Sequence, residues 1–153
     1  MLRDQQISES QAGASATADR PLRIALLSYR SKAHSGGQGI YVRHLSRELA
    51  ALGHHVEVIS GPPYPELDEG PSLTKVPSLD LYREPDPFRV PKLREFRSPI
   101  DVYEFLSVCT GSFPEPLTFS LRARRLLENR PAAERPDIVH DNQTLGYGML
   151  FMD

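Results

Sequence analysis

The chain has 153 residues, 39% hydrophobic and 25% charged, which suits one globular domain with a single core and excludes a collagenous or wholly disordered chain. A formal net charge of −2 and a pI near 6.2 give no global field for gathering nucleic acid or acidic membrane, so only local basic patches remain. Cys109 is the sole cysteine, which excludes an internal disulfide and leaves a cytoplasmic setting as the default.

Residues 1–20 are polar or small and lack the apolar run of a secretory signal; they read as a disordered leader before a folded domain at 21–153. Every apolar stretch is far shorter than the ~20 residues that span a bilayer. Leu22 to Ser28 (LRIALLS) is a short apolar run closed by polar residues, the pattern of a strand buried on both faces of a parallel sheet. A polar loop with adjacent glycines follows. Val42, Leu45, Leu49 and Leu52 then recur at helical spacing, with Arg43, Arg47 and Glu48 off that face. Gly53 stands where a left-handed helix cap is wanted, and Val56 to Ser60 starts a second strand. Strand, glycine loop, helix and strand make a βαβ unit.

Beyond Gly61 a segment rich in proline, charge and aromatics carries a short third strand at Leu73 to Val76; so long a connection reads as a functional excursion. Ser98, Pro99 and Asp101 form a helix start, and a further helix runs from near Pro116 to about Asn129. Asp137 to His140 reads as another parallel strand. Thr144 to Met152 reads as the start of a helix whose apolar end has nothing left to pack on, so the domain is expected to be truncated. The whole pattern predicts an α/β, Rossmann-like parallel sheet flanked by helices.

The stretch His34-Ser35-Gly36-Gly37-Gln38-Gly39-Ile40-Tyr41-Val42 joins the first strand to the first helix. Its glycines let a ligand approach the backbone, and the helix start it feeds favours an anionic group; equally, glycines can simply make a turn. A Walker loop would need Lys and Ser/Thr after Gly39, where Ile40 and Tyr41 stand. A dinucleotide fingerprint would need a small residue at Val42 and an acid at the end of the second strand, where Ser60 and Gly61 stand.

What the loop does resemble is the entry of the retaining family 4 glycosyltransferases of GT-B fold. There, a Ser-rich loop, Gly-Gly, an aromatic and a helix ending in Ala-x-x-Gly-His-x-Val follow the first strand; here Ser35 to Val42 and Leu49-Ala50-Ala51-Leu52-Gly53-His54-His55-Val56 stand in those places. The resemblance resumes at Pro136-Asp137-Ile138-Val139-His140-Asp141-Asn142. It implies that the chain is the N-terminal, acceptor-side half of a GT-B fold. Such an enzyme moves a sugar from a nucleotide-diphospho-sugar donor to an acceptor whose identity stays open. It further implies a C-terminal donor domain that is missing here, no cofactor, and little turnover without that domain.

By the same resemblance Gly36 and Gly37 lie against the donor diphosphate and reacting sugar, and Ser35, Gln38 and Gly39 border the acceptor. Arg30 stands where some relatives place a His on a phosphorylated acceptor, and a guanidinium can clamp phosphate in two-pronged fashion. His140, at a strand's carboxyl end, either lines the cleft or is structural. Asn142 replaces a second His of several relatives and cannot titrate.

The five histidines show no metal-ligand spacing, so no metal is assigned, and His54 and His55 read as structural groups after a helix end. Arg122, Arg124, Arg125 and Arg130 make a basic helix, either a solvated face or a peripheral contact with the inner face of a membrane. The loop bearing Tyr82, Arg83, Phe88, Arg89, Lys92, Arg94 and Phe96 either folds over an acceptor or has no such role. Two rival readings are a non-catalytic sugar or phosphate binding module and, more weakly, a nucleotide-dependent oxidoreductase.

Overall fold

The computed structural model of the chain describes residues 20–32, 37–83, 85–86, 89–142 and 146–150. The expected leader therefore lies almost wholly outside the described residues. Four strands, β1 (Arg23–Ser28), β2 (His55–Ser60), β3 (Ser72–Lys75) and β4 (Ile138–Asp141), form one parallel sheet in the order β3-β2-β1-β4. Among the described residues three α-helices accompany it, α1 (Gly37–Ala51), α2 (Pro99–Cys109) and α3 (Glu115–Glu128). This is an α/β, Rossmann-like arrangement, as the sequence pattern predicts.

The apolar run of β1 explains its central place. Ile24 to Ser28 are all buried, and successive side chains serve opposite faces of the sheet. Ile24 and Leu26 join Val42, Val56 and Val58 under α1, with Leu45 and Leu49 packed alongside. Ala25 and Leu27 join Ile59, Val76, Phe119, Ala123 and Leu127 under α3. A helix covers each face, so neither side of a parallel strand is left to water.

Local chemistry sets the element ends. Gly53 takes φ 91°, its N–H donates to the Ala50 carbonyl at 2.9 Å, and the His54 N–H reaches back to the Leu49 carbonyl at 3.2 Å. Those two bonds close α1 in a Schellman motif that needs a left-handed residue, hence glycine. Ser98 caps α2, with Pro99 in its first turn and Asp101 returning a hydrogen bond to the Ser98 N–H at 2.7 Å. His54 Nδ1 accepts from the Leu22 N–H at 3.3 Å, a structural role for that ring.

Two expectations are corrected. The helix after β1 starts at Gly37 rather than near Val42, and it ends at Ala51, leaving Leu52 outside it and 73% exposed. The Schellman turn lifts Leu52 off the apolar face that Val42, Leu45 and Leu49 share. The second correction concerns the helix expected from Thr144: its described part is a single 3-10 turn at Tyr147–Met149. Asp141 Oδ2 accepts the Gly146 N–H at 2.8 Å, Ser120 Oγ accepts the Gly148 N–H at 3.0 Å, and Met149 packs on the core under α3. Two glycines whose backbone lies against α3 favour a docked turn over a free helix.

Candidate functional site

Open parallel sheets leave their ligand crevice at the carboxyl ends of the strands, and here those ends are drawn together by the chain after β1 and β2. Ser31 is fully buried; its hydroxyl hydrogen-bonds that of Ser28, and its N–H donates to the Pro63 carbonyl at 2.9 Å. The two loops are thus tied to one another. Arg30 and Lys32, which flank Ser31, form with Pro63, Tyr64, Asp80, Tyr82 and Arg83 the walls of a cavity of about 330 Å3. That volume falls in the range of small-molecule sites.

Arg30 is held rather than waving. Its Nη1 donates to Glu115 Oε2 at 3.1 Å, its Nη2 to the Tyr82 carbonyl at 3.2 Å, and its guanidinium carbon lies 5.8 Å from the Tyr82 ring centre. Phe113 braces this wall edge-on to Tyr29 at 6.3 Å and tilted to Tyr82 at 5.7 Å. Asp80, with φ 49°, takes the left-handed conformation that aspartate tolerates better than most residues.

Behind the wall sits an acidic layer. Burial pushes the Glu115 carboxyl above its ordinary range; Arg30 opposes the shift, while Glu104 and Asp80 add to it. Burial likewise raises Glu104, opposed by Arg122, and Glu104 Oε1 is buried with no hydrogen-bond partner among the described residues. Arg122 donates to both Asp101 and Glu104, linking α3 to α2. So Arg30 reaches the cavity with part of its charge already neutralised, and its direction fixed.

The residues singled out in the sequence separate into groups. Gly37, Gln38 and Gly39 form the first turn of α1. Gly39 is buried, and a Cβ on it would lie 2.1 Å from the Lys32 carbonyl oxygen, so its small size serves the chain's own packing. A Cβ on Gly37 would meet nothing within 4 Å among the described residues, so no packing demand from them explains that glycine. Ser35 and Gly36 lie outside the described residues. His140 is exposed on β4, in register with Leu26 and thus on the α1 face, and Asn142 donates its N–H to the Leu27 carbonyl at 3.2 Å. Arg30 turns instead toward α3, and its cavity includes none of Gly37, Gln38, Gly39, His140 or Asn142.

Sequence reasoning missed Lys32, Tyr64, Asp80 and Glu115. Glu115 carried only the signal of a first-turn acid, and nothing local announces that it faces Arg30, 85 residues away. From the aromatic and basic loop, Tyr82 and Arg83 do line the cavity, whereas Arg89 is tied to the Leu79 carbonyl and to Glu95, and Phe96 packs edge-on to Phe105; Phe88 lies outside the described residues. The expected basic helix holds Arg122, Arg124 and Arg125, while Arg130 lies past the end of α3, and the four are mostly paired: Arg122 with Asp101 and Glu104, Arg124 with Glu128, and Arg130 in a two-pronged bridge to Glu57 with both bonds at 2.6 Å. No helix among the described residues is long and apolar enough to cross a membrane.

Two comparisons with known proteins bear on this geometry. Residues 36–152 match the family described as Glycosyl transferase 4-like domain. The chain is also 66% identical over 130 residues to the MMP alpha-(1->4)-mannosyltransferase of Mycolicibacterium hassiacum, a match that covers 84% of this chain and 31% of that relative. The chain therefore spans about a third of the relative's length.

Proposed function

Since this chain belongs to the glycosyl transferase 4-like family, we propose that it is the acceptor-side domain of a transferase that moves a mannosyl unit from a nucleotide-diphospho-mannose donor onto a sugar hydroxyl, forming an α-(1→4) linkage. The observation that carries this reading is the 66% identity to the M. hassiacum mannosyltransferase over 84% of the chain. An α product made from an α-linked nucleotide sugar keeps the anomeric configuration, in keeping with the retaining chemistry of the family it resembles. A cytoplasmic setting, where such donors are made, follows from the same reading.

In this reading the cavity at Arg30, Lys32, Tyr64, Tyr82 and Arg83 takes the acceptor. Tyrosine rings offer faces for a sugar's C–H surface, and the charged side chains offer directed donors to its oxygens. Gly36 and Gly37, at the start of α1, lie against the donor diphosphate, where unpaired helix N–H groups and the absence of a side chain favour an anion. Beyond that cavity, Ser35, Gln38 and Gly39 border the part of the acceptor that reaches α1, and His140 on β4 and Asn142 just past it face the reaction centre. Stabilisation of the departing diphosphate belongs to the donor domain, so the chain by itself turns over little substrate.

The test is a chimera in which this chain replaces its matching segment of the M. hassiacum enzyme. Mannosyl transfer within about tenfold of the parent is expected, with no transfer by residues 1–153 alone. A folded chimera that binds sugar acceptors but transfers nothing, with the parent active alongside, would favour a non-catalytic sugar-binding module instead.

A further inference from the structure

A second and larger hollow, of about 480 Å3, lies between the stretch after β3, the start of α2 and the later turns of α3, and shares no lining residue with the cavity at Arg30. Its floor is apolar: Val76 and Leu79 are buried, and Ile100 and Leu126 are half-buried beside them. Its rim is cationic, with Arg97 and Arg125 both exposed there. The acids on its walls are already engaged, Glu95 with Arg89 and Asp101 with Arg122.

Arg97 and Arg125 differ from their neighbours. Among the described residues neither guanidinium has an ion pair or hydrogen bond, whereas Arg89, Arg122, Arg124 and Arg130 each have a carboxylate partner. In a chain of net negative charge, two uncompensated guanidinium groups thus converge on one apolar-floored hollow. A purely apolar ligand would leave that charge unused, and a bare inorganic anion would leave the exposed parts of Ile100 and Leu126 wet.

We propose that this hollow binds a small anion carried on an apolar body, of the fatty carboxylate class, with the alkyl chain on Val76, Leu79, Ile100 and Leu126 and the carboxylate between Arg97 and Arg125. The site stands independently of the transfer reaction, since it uses none of the residues assigned to the sugar site.

The test is titration calorimetry on the whole chain with hexanoate, octanoate and decanoate below their micelle concentrations, beside octanol, inorganic phosphate and anionic phosphatidylglycerol vesicles. The carboxylates should bind, each added methylene tightening Kd by about threefold to fourfold. Arg97→Ala/Arg125→Ala, a change at two exposed positions, should weaken octanoate binding tenfold or more and leave the thermal midpoint unchanged. Chemical shift changes on octanoate addition should fall on Ile100 and Leu126. The proposal is overturned if octanol or phosphate binds as well as octanoate, if only vesicles bind, or if the double variant binds octanoate as the parent does. Equally, no carboxylate binding, or shift changes confined to the Arg30 cavity, overturns it.

Discussion

The two glycines of the first turn of α1 should respond in opposite ways to the same one-carbon change. At Gly39 a methyl group would stand 2.1 Å from the Lys32 carbonyl oxygen and 3.0 Å from its carbon, and both are backbone atoms that cannot swing aside. Relief requires the loop after β1 and the start of α1 to part by about 1 Å, in a region where buried Ser31 is pinned to Ser28 and Pro63. A clash this deep against backbone stands at the upper end of the about 1–3 kcal/mol that overpacking costs, and the helix propensity gained on replacing glycine by alanine, at most about 1 kcal/mol, leaves a net loss of about 2 kcal/mol. At Gly37 the added methyl meets nothing within 4 Å among the described residues, so against them the propensity gain stands alone. Gly39→Ala should therefore lower the thermal midpoint by roughly 3–10 °C and Gly37→Ala should leave it unchanged or slightly higher. Circular dichroism melts and urea titrations on the 153-residue chain read both. In the M. hassiacum chimera, Gly37→Ala should nonetheless cut mannosyl transfer at least tenfold, because its methyl stands where the donor diphosphate is proposed to sit. A neutral Gly39→Ala would refute the packing argument, and a fully active Gly37→Ala chimera would refute the ligand argument.

Other outcomes follow from the charged layer. Arg122→Leu leaves Glu104, fully buried, without its partner, and should cost about 3 kcal/mol or more in urea unfolding at pH 7. Arg30→Ala should raise the acceptor KM of the chimera and destabilise the fold by about 2 kcal/mol, since it strips Glu115 of its counterion. Because burial already raises the Glu115 pKa, that cost should shrink as the pH is lowered and the carboxyl takes up a proton. Glu57 is the opposite case: burial pushes its carboxyl up, but hydrogen bonds from Arg130 and Thr74 outweigh that and hold it below the ordinary range. A depressed carboxylate stabilises the fold above its unfolded pKa and loses that contribution as the pH falls through its folded one. Unfolding free energy should thus decline below about pH 4.5, and Glu57→Gln should flatten the decline.

Much of the fold was legible because it rests on local rules. The buried run of β1, the helical spacing of Val42, Leu45 and Leu49, the left-handed Gly53 and the Ser98-Pro99-Asp101 start each carry their signal within a few residues. Those rules misplaced α1 by a turn because glycines read as loop until Gly39 is seen packed on the Lys32 carbonyl. They also misread the segment after Asn142, whose Gly148 backbone is shaped by Ser120 on a distant helix.

The candidate site divides along the same line. The family resemblance carried by Ser35 to Val42 and Pro136 to Asn142 was visible in sequence alone, because each motif is contiguous and the two occur in order. The cavity at Arg30 was not, since its walls come from the ends of β1 and β2 and the loop after β3, and Arg30 is oriented by Glu115 on α3. The four arginines from Arg122 to Arg130 show the same limit: composition registers their charge, but only the packing of α3 and the turn after it against α2 and β2 decides which of them are neutralised. Contacts between residues far apart in the chain leave no periodicity to read, so by itself the sequence determined the sheet, its helices and the family. The tertiary structure decided which charges meet, which are buried and where a ligand can enter.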